Sequence, residues 1–210
     1  MQTIVLAGSK PGAGKTTLAI ELAVCAEHAM ILDVHPQHGA TGWARRRGSD
    51  WPVVQPVEVG GLVDALESAR NSQCPWVFVD TSVQTRPSDI TAAITAADLV
   101  LVPSRPGSLD LATLREIVSV IPKERSSAIV LNSCMPFGGG IRDQLLRQAF
   151  QEARRWGLPV APCVVAERNE FPRAFAKGNS VMESEPDGKA AADVVGLWHW
   201  LANEADVLVA

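Results

Sequence analysis

The chain has 210 residues, 47% of them hydrophobic and 20% charged, which excludes a disordered polymer and suffices for one buried core. Lys and Arg number 19 against 23 Asp and Glu, a formal net charge of −4, so the chain as a whole is no polycation. Any contact with nucleic acid must come from a local basic patch.

Read in order, short apolar runs alternate with helical patterns. Gln2–Ala7 reads as a strand that runs into a glycine cluster. Residues 16–28 place Leu18, Ala19, Leu22, Ala23 and Ala26 at helical spacing. Residues 30–34 form a second strand ending before Pro36, and 51–57 a short strand broken by prolines. A helix is expected over 62–70 and a strand over 76–80, with Asp80 at its end. Residues 88–97 read as a helix and 99–102 as a strand stopped by Pro103. A helix over 110–120, a strand over 128–132 and a long helix over 141–156 follow, the last closed by Gly157. A strand over 159–165 and a helix over 190–204 complete the pattern.

Most of these strands are apolar throughout rather than alternating, the mark of strands covered on both faces. The expected fold is a single α/β domain over residues 1–210: a doubly wound, mostly parallel sheet with helices on both faces. Cys25, Cys74, Cys134 and Cys163 are too far apart for a C-x-x-C site, and Cys25 and Cys163 are expected as small buried thiols of a cytoplasmic protein. The N-terminus lacks the charge and apolar core of a signal peptide, and no run of about 18 apolar residues predicts a membrane span.

The chemistry concentrates in Gly8-Ser9-Lys10-Pro11-Gly12-Ala13-Gly14-Lys15-Thr16-Thr17, between a strand and a helix. This is the context of a phosphate-binding loop: glycines let successive N–H groups turn inward, and the helix start adds free donors. Lys15 would reach the terminal phosphates and Thr16 would ligate Mg²⁺. Ser9 holds the usual first-glycine position, and Lys10 lies five residues before Lys15.

This arrangement resembles the deviant Walker A loop, K-G-G-x-G-K-[ST], of the ParA/MinD ATPases. The resemblance implies that Lys10 reaches the nucleotide bound by a second copy of the chain. Pro11, in place of the family's first glycine, removes one N–H donor. Asp33-Val34-His35-Pro36-Gln37-His38 is similar to the family's D-x-D-P-Q-G switch I, with Asp33 at the first acid and His35 at the second. The second acid is the one the family associates with positioning the attacking water. A neutral His35 could accept a hydrogen bond from that water without supplying a fixed charge, which predicts slow hydrolysis. His35 and His38, without further ligands, read as loop residues rather than a metal pair. Val77-Phe78-Val79-Asp80-Thr81 has the form of a Walker B strand, with Asp80 holding Mg²⁺ through water.

The likeness continues through Ala97–Pro103, through Ser108-Leu109-Asp110, and through Arg168 to Gly178-Asn179-Ser180-Val181. It implies that Asn132 meets the adenine edge and that residues 166–171, Arg168 included, form the other wall of the base pocket. An asparagine at a strand end is equally a turn residue. The short form is most similar to small plasmid-partition ParA proteins and to relatives that position other cargo on the nucleoid. From this follow the expected properties: cofactors ATP and Mg²⁺, an ATP-dependent homodimer, non-specific DNA binding, a ParB-like partner that stimulates hydrolysis, and no membrane. Arg45-Arg46-Arg47 and the helix carrying Arg142, Arg147, Arg154 and Arg155 are the candidate DNA patches, though each reads equally as a solvated face. Trp198 and Trp200 are expected to pack on the body. Two further readings stay open: an ATP-dependent synthase of the dethiobiotin or cobyrinic acid amide type, and a nucleotide-binding adaptor that does not hydrolyse.

Overall fold

The computed structural model describes residues 1–72, 74–136 and 139–209; the side chains of Arg142 and of residues 204–209 lie outside the description, as does Gly138. Along the chain, β1 (Gln2–Leu6) leads into α1 (Lys15–Cys25), and β2 (Ala29–Asp33) into α2 (Gly39–Ala44). β3 (Val53–Pro56) precedes α3 (Leu62–Arg70), and β4 (Trp76–Asp80) precedes α4 (Pro87–Ala96). β5 (Leu99–Ser104) is followed by the short α5 (Ser108–Ala112) and α6 (Leu114–Val118), then β6 (Ser127–Cys134) and α7 (Ile141–Arg154). β7 (Val160–Ala166), α8 (Glu170–Ala176), α9 (Val181–Ser184) and α10 (Lys189–Val209) close it.

The strands form one seven-stranded sheet in the order β3-β2-β4-β1-β5-β6-β7. Each pairing in it is parallel. Both faces are covered, which explains strands such as β2 and β5 that are buried at every position. On one face Val5, Val79 and Val100 pack with Leu66, Ile94 and Leu114. On the other, Ile4, Leu6 and Phe78 meet Leu18 and Leu22 of α1, Trp43 of α2 and Leu197 of α10. Truncating one of these fully buried side chains, Leu22 for example, costs roughly 2–5 kcal/mol.

Several expectations are corrected. Pro103 does not stop its strand, because β5 continues to Ser104. The Leu101 carbonyl accepts from Ala7 N–H, so Pro103, two residues on, faces the same side, beyond the last paired residue of β1. Its missing N–H therefore costs no ladder bond. The helix expected over 110–120 is two short helices divided at Thr113, whose carbonyl accepts from Ser9 Oγ (2.8 Å). The loop after β2 contains α2. Cys25 and Cys163 are half-buried, whereas Cys74 and Cys134 are the buried thiols. Trp198 packs edge-on against Trp76 with ring centroids 4.9 Å apart.

Candidate functional site

β1 lies between β4 and β5, so the loop after β1 opens at the centre of the sheet's C-terminal edge, where ligands of open α/β sheets bind. Gly12 and Gly14 take left-handed backbone, φ +72° and +94°. A Cβ at Gly14 would collide with Asn132 Nδ2. Asn132 is buried, and its amide donates to the Ala13 carbonyl (2.8 Å), so it clamps the loop from β6. The first amides of α1 have no acceptor within the helix.

Lys15 is 6% exposed, and its ammonium donates to the Lys10 carbonyl (3.1 Å) across that concavity. Burial lowers its pKa, and the nearby Asp80 opposes the shift. The Lys10 side chain turns away and pairs with Asp110 Oδ1 on α5 (2.8 Å). Within one chain, then, the second lysine is held by a carboxylate of its own subunit. Pro11 is exposed, and Thr17 lines the adjoining cavity.

Asp33 and Asp80 are partners in register on β2 and β4, both fully buried. Their surroundings differ. Asp33 Oδ2 accepts from Thr41 N–H and Thr41 Oγ1, each at 2.8 Å, and Oδ1 accepts from His35 N–H (3.3 Å). Asp33 thus ties down the segment it begins, and both its oxygens are engaged. Both oxygens of Asp80 are buried and neither makes a well-formed hydrogen bond, although the Thr16 hydroxyl lies close enough to favour the charge. Burial pushes its pKa up to about 7, Asp33 adds to the shift, and the Thr16 hydroxyl and Lys15 ammonium oppose it. A buried carboxylate with unused lone pairs beside Thr16 suits a hydrated divalent cation. Thr16 also packs on the start of α2: a Cβ at Gly39 would lie 3.2 Å from Thr16 Cγ2.

His35 is half-buried, and its Nδ1 accepts from Gln37 N–H (3.1 Å). Burial lowers its pKa, aided by Lys15 and His38 and opposed by Asp33, so the ring is neutral near pH 7. With Nδ1 accepting, the proton sits on Nε2, which makes that nitrogen a donor. This differs from the acceptor role expected from sequence. Among the described residues no group of three or more His, Cys, Asp or Glu side chains is arranged to hold a metal.

Beside the loop lies a cavity of about 560 Å³, lined by Gly12, Gly14, Asn132 and the stretch from Val165 to Pro172. Its size suits a nucleoside. Arg168 is fixed there by Asp193 of α10, which accepts from Arg168 Nε (3.0 Å) and from Ala166 N–H (3.1 Å). Sequence reasoning missed Asp193 as a support because it lies 25 residues away on another element.

The basic clusters divide. Arg47 is structural: it pairs with Glu183 (2.5 and 2.7 Å), donates to the Gly178 carbonyl (3.1 Å) and stacks 4.8 Å from the Trp43 ring. Arg46 lies over Phe175 at 5.2 Å, and Arg45 is exposed. On α7, Arg147 and Arg154 are exposed, and Arg155 at its C-cap pairs with Glu152 (2.7 Å). The Arg142 side chain lies outside the described residues. The Gly178–Val181 stretch has a packing reason: a Cβ at Gly178 would lie 2.6 Å from Arg47 N, and Ser180 and Glu183 form a capping box on α9. Among the described residues no helix is long and apolar enough to cross a membrane.

No family model matches the chain. It is 28% identical over 211 aligned positions to maintenance of carboxysome distribution protein A of Gloeobacter kilaueensis, covering 98% of this chain and 94% of that protein. It is 27% identical to protein ParA of Rhizobium radiobacter, covering 91% of each. Its fold is shared with the septum site-determining protein MinD of Pyrococcus horikoshii, solved with Mg-ADP: TM-score 0.74, 14% identity, 99% of this chain and 98% of that one.

Proposed function

We propose that this chain, a P-loop ATPase related to the ParA and MinD proteins, binds Mg·ATP, pairs with a second copy while ATP is bound, and positions a cargo. The observation that carries this reading is the buried, unpartnered Asp80 carboxylate facing Thr16 and Lys15 at the mouth of a glycine-turned loop. When bound, Mg²⁺ would neutralise phosphate charge, with Thr16 and Asp80 holding it and its water shell. Lys15 and the loop amides would hold the terminal phosphates and balance charge as it develops in transfer. Asn132 and the wall at residues 166–171 would enclose the base. Asp33 would fix the segment over the phosphates.

Lys10 would serve the partner's nucleotide only after leaving Asp110. Pairing is therefore conditional, and nucleotide binding is what would tip it. The exposed Arg147 and Arg154 of α7 and, on the opposite face of the sheet, Arg45 and Arg46 supply two separate patches for non-specific, salt-sensitive DNA contact. The cargo class follows the relatives: a carboxysome-like body or a plasmid, joined through a ParB-like adaptor that stimulates hydrolysis, on the nucleoid in the cytoplasm. The Nε2–H of His35 favours slow hydrolysis, since a donor there cannot take a proton from water. That same observation supports a second reading, an adaptor that binds nucleotide without hydrolysing it.

Light scattering without nucleotide, with ADP and with Mg·ATP, repeated with DNA, tests the reading. A mass that doubles only with ATP, and DNA retention only of that species, is expected. A chain that stays monomeric in Mg·ATP refutes it.

A further inference from the structure

The nucleotide-binding reading leaves Arg105 without a role. It follows β5, the strand parallel to β1, so its segment overhangs the loop on the β1 side. Its guanidinium lines the cavity beside the loop, and a Cβ built on Gly12 would lie 3.9 Å from Arg105 Nη2. The backbone there is held in place, because Ser104 Oγ donates to the Arg105 carbonyl (3.0 Å) and Pro106 follows. The side chain is exposed, and the carboxylate on the next helix, Asp110, is occupied by Lys10. Among the described ion pairs none involves Arg105.

A guanidinium without a carboxylate, poised over the loop that turns amides toward an anion, is a phosphate ligand in search of its phosphate. The neighbouring residue sharpens the point. Pro11 has no N–H, so the loop offers one donor fewer than a glycine there would, and Arg105, beside Gly12, brings several. We infer that Arg105 is a phosphate-binding residue of this chain's own nucleotide site and supplies the donors that Pro11 withholds. The inference rests on the nucleotide reading above.

The test is calorimetric titration of Mg·ATP into the wild-type chain, Arg105→Ala, Arg105→Gln and Lys123→Ala, at low and high salt. Lys123 is an exposed cation in the segment before β6, at the opposite edge of the sheet, and controls for net charge. Both Arg105 variants should bind ATP about tenfold more weakly at low salt, as loss of a charge-assisted phosphate contact requires. The deficit should shrink at high salt, where screening weakens the wild-type contact. Lys123→Ala should bind as wild type does, and all variants should melt alike, since the Arg105 side chain is exposed. Wild-type affinity in Arg105→Ala, or an equal deficit at both salts, overturns the inference while leaving the nucleotide site intact. A wild-type chain that takes up no ATP instead removes the reading beneath it.

Discussion

Replacing Asp80 by Asn tests the cation site through stability alone. In the nucleotide-free chain the carboxyl has a pKa of about 7, against 3.8 when unperturbed, because burial disfavours its charge. A raised folded-state value means that the native state keeps the proton while the unfolded state releases it. Stability is therefore full below the unfolded value and falls as pH rises until about 7, then levels off. At 1.36 kcal/mol per pH unit the loss is about 4 kcal/mol by pH 8. Asn carries no charge, but its buried amide lacks partners, which costs roughly 1–3 kcal/mol. The variant should thus be more stable than wild type by about 1–3 kcal/mol at pH 8, with no gain near pH 4. Urea unfolding of nucleotide-free protein at the two pH values measures this. Mg·ATP should stabilise the wild type more than the variant. An Asp80→Asn chain no more stable than wild type at pH 8 would show that the carboxylate is compensated in solution, and would remove the argument for a cation site there.

Three further outcomes follow from the geometry. Asp110→Asn releases Lys10 and should lower the ATP concentration at which the chain pairs, whereas Lys10→Ala should keep nucleotide affinity within about threefold and lose pairing; light scattering across an ATP series reads both. His35→Asp should raise the single-turnover hydrolysis rate roughly tenfold or more, as a restored acceptor of a catalytic proton would; an equal or slower variant rules out the donor-nitrogen account of slow turnover. Glu21 is buried in α1 with its pKa pushed up to about 8, chiefly by burial with Glu183 adding, against the Val181 N–H bond. Its stabilising contribution is complete below about pH 4.5 and is lost as pH climbs to about 8. Glu21→Gln keeps an acceptor for Val181 and should melt several degrees above wild type at pH 9, with little difference at pH 4.

What could be read from sequence was whatever depends on near neighbours. The alternation of apolar runs and helical stretches gave the parallel sheet, and the run from Ser9 to Thr17 marked the loop. Asp33 and Asp80 were recognisable as strand-end acids, and the sheet order then set them side by side. What could not be read depends on register and on distant partners. Pro103 looks like a stop until the end of β1 is known to fall short of it. The helix divides at Thr113, where Ser9, far off in sequence, donates to the same carbonyl that Glu116 N–H bonds. Arg47 looks like a nucleic-acid contact until Glu183 is seen to hold it. The short helix α9 did have a local signal, the Ser180–Glu183 spacing of a capping box, which was overlooked.

The turn at residues 178–183 touches three neighbours at once. Glu21 of α1 receives Val181 N–H, Trp43 of α2 donates its indole proton to the Asn179 carbonyl, and Arg47 grips Glu183. It works as a clasp that fastens the far end of α2 to the helix carrying the loop's own lysine. The arm that carries His35 is thus pinned at both ends, by Asp33 where it leaves β2 and by this clasp beyond α2, so the position of His35 is set from two sides.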